Sequence, residues 1–135
     1  MESNLIFIDT SAFYAFIDSS DENHKNISAI FHDRTEHFVT SNYILDELIT
    51  LLRVRKISLD KFQNFIDALW NNEICKIIRI NEDIDSDAWK MMNKYKDHLF
   101  SFTDCTSFVL MKNYNIQKVS TLDKHFQIAG FEVVV

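Results

Sequence analysis

One short run near the N-terminus is apolar without interruption, and it limits the fold class more than any other feature of the sequence. Leu5–Ile8 has the length of a strand, and a strand that is apolar on both faces is typical of a parallel sheet covered on both sides. Asp9 follows the run directly. An acid at the carboxyl end of such a strand faces the crevice where α/β proteins place their chemistry. The alternative is that Asp9 caps the next helix, because Asp-Thr-Ser also suits a helix start.

A second strand that ends near an acid lies towards the C-terminus. Asp104 opens an apolar helical run for which Ser101 or Thr103 can serve as the N-cap, and residues 116–120 then have the pattern of a short strand. Asp123 lies just past that strand, at the predicted start of another helix. Taken singly, both acids have the alternative explanation of ordinary first-turn acids, since the helix dipole stabilises negative charge there.

A fourth acid, Glu47, lies within a predicted helix. Ile44, Leu48, Leu51 and Leu52 recur at helical spacing around it. Glu47 therefore lies between apolar neighbours instead of on an open polar face. A position on the surface remains the commoner case for any single Glu.

Strand and helix patterns alternate along the whole chain, which predicts an α/β domain with a mostly parallel, about five-stranded sheet and helices on both faces. Pro is absent and Gly130 is the only glycine, so no flexible linker divides the chain and a single domain over 1–135 is predicted. The strand order does not follow from the pattern. Strands are predicted at 5–9, 37–41, 74–80, 116–120 and 131–135, and helices at 10–17, 22–33, around Glu47, at 59–70, at 84–95, from 104 and from 123.

Together these segments resemble the PIN domain, and more narrowly the small VapC-like ribonuclease toxins of toxin–antitoxin pairs. The resemblance rests on IDTSAF at 8–13, on Glu47, on SFTDCTSFVLM at 101–111 and on STLDKHFQIAGFEVV at 120–134, in the order and spacing of the family. It implies a three-layer α/β/α sandwich, and a metal-dependent ribonuclease that acts as the toxin of such a pair. The implied catalytic and metal-binding acids are Asp9, Glu47, Asp104 and Asp123, supported by Thr10, Ser11 and Thr121.

Four acids in one crevice require a counter-charge. Two carboxylates about 5 Å apart repel by roughly 3 kcal/mol at an effective dielectric near 20, and oxygen ligands favour hard cations, so we expect Mg²⁺ or Mn²⁺. Asp9 and Asp104 are predicted to bind the ion directly, with Asp123 and Glu47 acting through water or a second ion. A metal-bound water would then attack the phosphodiester. The histidines show no ligand-like spacing, and His125, close to Asp123, is the one considered for contact with substrate.

The net charge of −6 argues against binding of nucleic acid by a broadly basic surface. It does not exclude a metal nuclease, because the cation supplies positive charge at the phosphate. A local basic patch follows the Glu47 helix, and its alternative explanation is a solvated helix C-terminus, where cations are favoured. The predicted RNA-phosphate contacts are Arg53, Arg55, Lys56 and Lys61.

The apolar runs are far shorter than a membrane span, and the N-terminus lacks the basic region of a signal peptide. Cys75 and Cys105 are isolated in the sequence and are predicted to be reduced thiols. A cytoplasmic protein without a membrane segment is therefore expected.

The helices at 22–33 and 59–70 carry many large apolar side chains. The resemblance implies a homodimer and an antitoxin segment bound in a groove near these helices; the alternative is that all of these side chains pack inward. The predicted groove residues are Ile27, Phe31, Phe62, Phe65 and Trp70.

Two other functions are alternatives to that of a ribonuclease. A phosphoacceptor signalling domain needs an acidic pair after its first strand, whereas Asp9 is followed by Thr10 and Ser11. A non-catalytic PIN-like module that binds RNA or protein would not need all four acids, although the sequence alone leaves that alternative open.

Overall fold

The computed structural model describes residues 4–32 and 37–134. Within them the chain forms a sheet of five strands in which every neighbouring pair is parallel, in the order β3-β2-β1-β4-β5. The strand that follows the N-terminus is thus the central one. The strands are β1 (Leu5–Ile8), β2 (His37–Ser41), β3 (Lys76–Ile78), β4 (Lys118–Ser120) and β5 (Glu132–Val133).

Helices connect these strands, as parallel pairing requires. Consecutive side chains Phe7 and Ile8 of β1 point to opposite faces of the sheet, and both are completely buried. Helices therefore cover both faces, and the predicted α/β fold with a parallel five-stranded sheet is confirmed. The described helices are α1 (Thr10–Ile17), α2 (His24–His32), α3 (Asn42–Val54), α4 (Leu59–Trp70), α5 (Glu82–Lys94), α6 (Phe102–Asn113) and α7 (His125–Ile128).

Side-chain hydrogen bonds explain two of the differences from the predicted boundaries. Asn81 accepts a hydrogen bond from the Ile84 N–H at 2.9 Å, so α5 begins at Glu82, two residues earlier than predicted. The Asn72 side chain accepts from the Ile77 N–H at 2.9 Å, and the regular part of β3 starts only at Lys76. Helix α7 begins at His125, two residues after Asp123, and the predicted positions 33 and 135 lie outside the described residues.

Aromatic side chains fill the space between α1, α2 and α4. Phe16 lies 4.6 Å from Phe31 and 5.4 Å from Phe65 between ring centroids, and Phe13 lies 6.0 Å and 6.1 Å from the same two rings. We call these four residues the aromatic cluster. It belongs to the hydrophobic core of the chain, because Phe13 is completely buried and Phe31 nearly so.

This packing corrects the predicted partner groove. Ile27, Phe31 and Phe62 are 0, 6 and 2% exposed, so they pack inward and cannot line an open groove. Phe65 is half-buried against the aromatic cluster. Trp70 is 37% exposed and is the residue of the predicted set most accessible to a partner. For most of the set, burial inside this chain is enough to account for the apolar side chains.

No helix among residues 4–32 and 37–134 is long and apolar enough to cross a membrane.

Candidate active site

The register of the two central strands brings the ends of β1 and β4 together. Ile8 pairs with Ser120, and the Asp9 N–H donates to the Ser120 carbonyl at 3.1 Å. The residues that follow the two strands, Asp9 and Thr121, are therefore neighbours although 112 positions separate them. The Thr121 hydroxyl donates to Asp9 Oδ2 at 2.8 Å.

Asp9 occupies the N-cap position of α1, yet its side chain makes no capping hydrogen bond with that helix. Its Oδ2 instead accepts from Thr121 and, at 3.4 Å, from the Ser11 hydroxyl. The side chain therefore faces the crevice, and the capping alternative does not describe it. Burial raises the pKa of Asp9 from 3.8 to about 7, with smaller contributions in the same direction from the charges of Asp104 and Glu47.

Glu47 approaches from α3, one turn after the helix N-terminus. Ser41 caps that helix by accepting from the Ile44 N–H at 3.2 Å, which fixes the rotation of the first turns. Thr10 Oγ1 donates to Glu47 Oε1 at 2.5 Å. Glu47 as a residue is exposed at the rim, but loss of solvent around the carboxyl group raises its pKa, and the charges of Asp104 and Asp123 act in the same direction.

Asp104 has two roles in the structure. It forms a capping box at the start of α6, in which the Ser101 N–H donates to Asp104 Oδ2 and the Asp104 N–H donates to Ser101 Oγ, both at 3.0 Å. The first-turn explanation is thus correct for Asp104. The same carboxylate also lines the cleft, so the cap fixes its orientation there.

Asp123 lies in the loop between β4 and α7. Its N–H donates to Thr121 Oγ1 at 3.0 Å, and its Oδ1 accepts from the His125 N–H at 3.0 Å. Ser11 connects this loop to α1, because its hydroxyl accepts from the Leu122 N–H at 2.9 Å. The supporting hydroxyl groups of the sequence analysis therefore fix the two loops that carry Asp9 and Asp123.

His125 was assigned no ligand role from the sequence, and the structure places it among the acids. Its Nδ1 lies 2.9 Å from Asp104 Oδ2 and 3.4 Å from Asp123 Oδ1. The available signal was its position two residues after Asp123. An aspartate side chain that accepts from the backbone N–H two positions later forms a tight turn, which holds the intervening chain close to the carboxylate.

The four acids of the predicted quartet thus meet in one cleft, supplied by α6 and by the segments after β1, β2 and β4. Leu51 and Leu99 form an apolar part of its rim. The described residues lining it are Asp9, Thr10, Ser11, Glu47, Leu51, Leu99, Ser101, Asp104, Asp123 and His125.

The predicted basic contacts lie outside this lining. Arg53, Arg55, Lys56 and Lys61 are all exposed. Arg55 differs from the others in that its guanidinium lies 4.6 Å from the centroid of the Tyr14 ring, a cation–π contact that orients it over α1.

The donor atoms of the cleft suit a divalent cation. Carboxylate oxygens dominate, which hard divalent ions prefer. One ligand atom each from Asp104, Asp123 and His125 lies within 4.8 Å of the others. Burial raises the pKa of Asp9 and of Glu47, and the charges of the neighbouring acids add to the effect.

Comparison with known families agrees with this geometry. The family profile of the PIN domain matches residues 6–132. The chain belongs to the PIN-domain family. This PIN domain is 28% identical over 127 residues to the 23S rRNA-specific endonuclease VapC20 of Mycobacterium tuberculosis, covering 94% of this chain and 95% of the relative. It is 29% identical over 127 residues to a VapC ribonuclease of Archaeoglobus fulgidus, covering 90% of this chain and 78% of that protein. The predicted resemblance to VapC-like proteins is confirmed.

Solved structures show the same likeness in three dimensions. The crystal structure of M. tuberculosis VapC20, described as a toxin that cleaves the sarcin–ricin loop, superposes on this PIN domain with a TM-score of 0.85 at 28% identity, covering 93% of this chain and 95% of that one. A structure of VapBC2 from Rickettsia felis bound to a promoter DNA fragment has a TM-score of 0.65 at 14% identity, covering 96% of each chain. The second comparison shows the fold alone.

Proposed function

We propose that this protein is a metal-dependent endoribonuclease of the VapC type, the toxin of a toxin–antitoxin pair, which hydrolyses RNA phosphodiester bonds. The observation that carries the proposal is the convergence of Asp9, Glu47, Asp104 and Asp123, from four separate parts of the chain, on one cleft. A fold alone would not specify activity. An acidic cleft of this composition in a chain similar to named ribonucleases over nearly its whole length supports this function best.

The cofactor proposed is Mg²⁺ or Mn²⁺. A divalent cation in the cleft would supply a Lewis acid for the phosphate and would lower the pKa of a bound water. The residues of the chain hold and orient the acids: Thr121 fixes Asp9, Thr10 fixes Glu47, and the Ser101 N–H fixes Asp104. With three acids anchored in this way, little reorganisation is needed when substrate binds.

The substrate class proposed is RNA, and a structured ribosomal RNA loop is the first candidate because it is the target named for VapC20. The test is incubation of purified protein with total RNA and with intact ribosomes in Mg²⁺, in Mn²⁺ and in chelator, followed by mapping of the new ends. Cleavage that requires the cation and disappears in Asp104→Asn supports the proposal. Tight RNA binding without any cleavage would favour the non-catalytic PIN-like module.

A cognate antitoxin, a homodimeric state and a cytoplasmic location belong to the same proposal. After the correction of the groove, Phe65 and Trp70 are the accessible members of the predicted partner surface. Phe65→Ala should weaken binding of the neighbouring gene's product by more than ~1 kcal/mol if Phe65 is an anchor. Calorimetric titration of folded parent, Phe65→Ala and Trp70→Ala measures this, and equal affinities would place the partner elsewhere. Light scattering of the free protein measures the oligomeric state.

A further inference from the structure

His125 is placed as a metal ligand would be. Its Nδ1 is 2.9 Å from Asp104 Oδ2 and 3.4 Å from Asp123 Oδ1. Two neighbouring ligands of an octahedral ion with bonds of about 2.1 Å lie about 3 Å apart. The imidazole nitrogen is therefore close to the spacing of a neighbouring ligand from both carboxylates, and one ligand atom from each of the three residues lies within 4.8 Å of the others.

The His125 ring is hydrogen-bonded to Asp104, but both carboxylates are also held by bonds that do not involve the ring. Asp104 Oδ2 is held by the Ser101 N–H at 3.0 Å, a bond that does not involve His125. Asp123 Oδ1 is held by the backbone N–H of His125 at 3.0 Å. Both carboxylates thus keep their orientation if the contact between Nδ1 and Asp104 is exchanged for a bond to a cation.

The imidazole ring itself is fixed by packing. Phe100 meets it edge to face, with centroids 5.4 Å apart and an interplanar angle of 79°. The side chain is 22% exposed, so the ring is partly shielded from solvent while its Nδ1 faces the acids. A ring held in this way loses little side-chain entropy when it binds an ion.

We propose that His125 binds the catalytic ion through Nδ1, together with Asp104 and Asp123, so that the centre has one nitrogen donor among its oxygens. The inference rests on the proposed metal-dependent function and deepens it. Imidazole binds transition ions more strongly than Mg²⁺, whereas carboxylates accommodate both classes. The nitrogen donor therefore makes Mn²⁺ the preferred cofactor over Mg²⁺.

The test replaces the donor while keeping the ring. His125→Phe retains an aromatic ring against Phe100 but has no ligand atom. His98→Phe is the matched control: His98 stacks on the same Phe100 at 5.0 Å and lines a separate apolar cleft with Met91 and Tyr95. Pulsed electron paramagnetic resonance of the Mn²⁺-loaded protein measures nitrogen coupling directly, and calorimetry measures the affinities for Mn²⁺ and, by competition, for Mg²⁺.

The expected result is a ¹⁴N coupling in the parent and in His98→Phe that is absent from His125→Phe. Affinity for Mn²⁺ should fall by about tenfold or more in His125→Phe, and affinity for Mg²⁺ by less. Bound Mn²⁺ without nitrogen coupling in the parent, or equal losses for both ions, would overturn the inference and leave the nuclease proposal standing. A parent that binds neither ion would overturn both.

Discussion

The acidic cleft and the aromatic cluster are two dense groups of similar side chains, and helix α1 contributes to both. Each aromatic ring buries about 150–250 Å², and at about 25 cal/mol per Å² that burial stabilises the fold by several kcal/mol per ring. The acids act in the opposite direction, because neighbouring carboxylates repel and the burial of Asp9 disfavours its charged form. One cluster lowers the free energy of the folded chain, whereas the other raises it.

This difference shows which cluster is informative about function. Apolar side chains gather whenever a chain folds, so an aromatic cluster needs no partner to explain it. That is why the predicted groove residues Ile27, Phe31 and Phe62 turned out to be core residues. Four acids gather only where something other than stability requires them, such as a bound cation. An arrangement that costs free energy is therefore the better indicator of a site.

The largest effect is expected from Asp104→Asn, which tests whether the acidic cleft serves activity and not stability. We expect RNA cleavage to fall by about a thousandfold or more, equivalent to about 4 kcal/mol or more of activation free energy, because one anionic ligand is lost. The fold should survive, since the amide oxygen can still accept the Ser101 N–H of the capping box. Without metal, the variant should be at least as stable as the parent because a repulsion is removed.

Cleavage rates and urea unfolding in chelator measure both parts of this prediction. Asp87→Asn, an exposed acid of α5 outside the cleft, is the matched control for removal of a charge. A variant that cuts RNA at the parental rate would remove Asp104 from the site. A variant that unfolds would show that the capping box of Asp104 stabilises the fold by more than the removed charge repulsion destabilises it.

The aromatic cluster should respond in the opposite way. Phe13→Ala removes a completely buried ring that touches Phe31 and Phe65, and we expect the free energy of unfolding to fall by about 3–5 kcal/mol. Leu59→Ala, in a position 49% exposed, should change it by no more than ~0.5 kcal/mol. Urea unfolding measures both. A loss below ~1 kcal/mol in Phe13→Ala would show that the cluster is not the stabilising region.

The two regions also differ in how far the sequence could predict them. Helix α4 runs from Leu59 to Trp70 as predicted, because its stripe of apolar residues at helical spacing is a local signal. The strand order is non-local and did not follow from any local pattern. The place of His125 beside Asp104 did not follow from the sequence, because Asp104 lies 21 positions earlier on another helix and only the nearness of His125 to Asp123 is local. The buried groove residues were misjudged because apolar spacing does not distinguish a core from an interface.

The stability contributed by the acidic cleft should depend on pH, whereas that of the aromatic cluster should not. The folded pKa of Asp9 is about 7 and its ordinary value is 3.8. Between these values the unfolded chain has lost a proton that the folded chain retains, so the free energy of unfolding contributed by Asp9 falls as pH rises, by roughly 4 kcal/mol at most. Glu47 acts in the same direction. We expect the parent in chelator to lose more stability between pH 5 and pH 7.5 (about two to three units) than Asp9→Asn does.

Urea unfolding at both pH values measures the difference, and Asp87→Asn again serves as the control. Added Mn²⁺ or Mg²⁺ should restore stability to the parent at the higher pH, because an ion bound only by the folded state stabilises that state. It should restore less in Asp9→Asn. Equal pH dependence of stability in the parent and Asp9→Asn would show that the pKa of Asp9 is not raised in the folded chain.

The smallest effect, on RNA binding, is expected for Arg55, which lies beside the helix α1 that the acidic cleft and the aromatic cluster share. Arg55 is the C-cap residue that follows α3, eight residues beyond Glu47 or about 12 Å along the helix axis, and one turn beyond Leu51, which lines the cleft. Its contact with Tyr14 holds the guanidinium over α1, which carries residues of both clusters. An RNA strand that leaves the cleft along these two helices would meet this cation first. We therefore expect Arg55→Ala to weaken RNA binding by several-fold, about 1 kcal/mol.

The decisive measurement is the salt dependence of RNA binding, carried out in the inactive Asp104→Asn background. Loss of one phosphate contact should reduce the slope of log affinity against log salt by about 0.7 for a single strand. The matched control is Arg79→Ala, because Arg79 also lies over an aromatic ring, 5.3 Å from Trp70, but belongs to neither the cleft nor the basic segment after α3. Equal losses in the two variants would indicate only a general effect of charge. A loss confined to Arg55→Ala would extend the site along α1 and α3, so that a chain with a net charge of −6 holds RNA by a contact adjoining its acidic cleft.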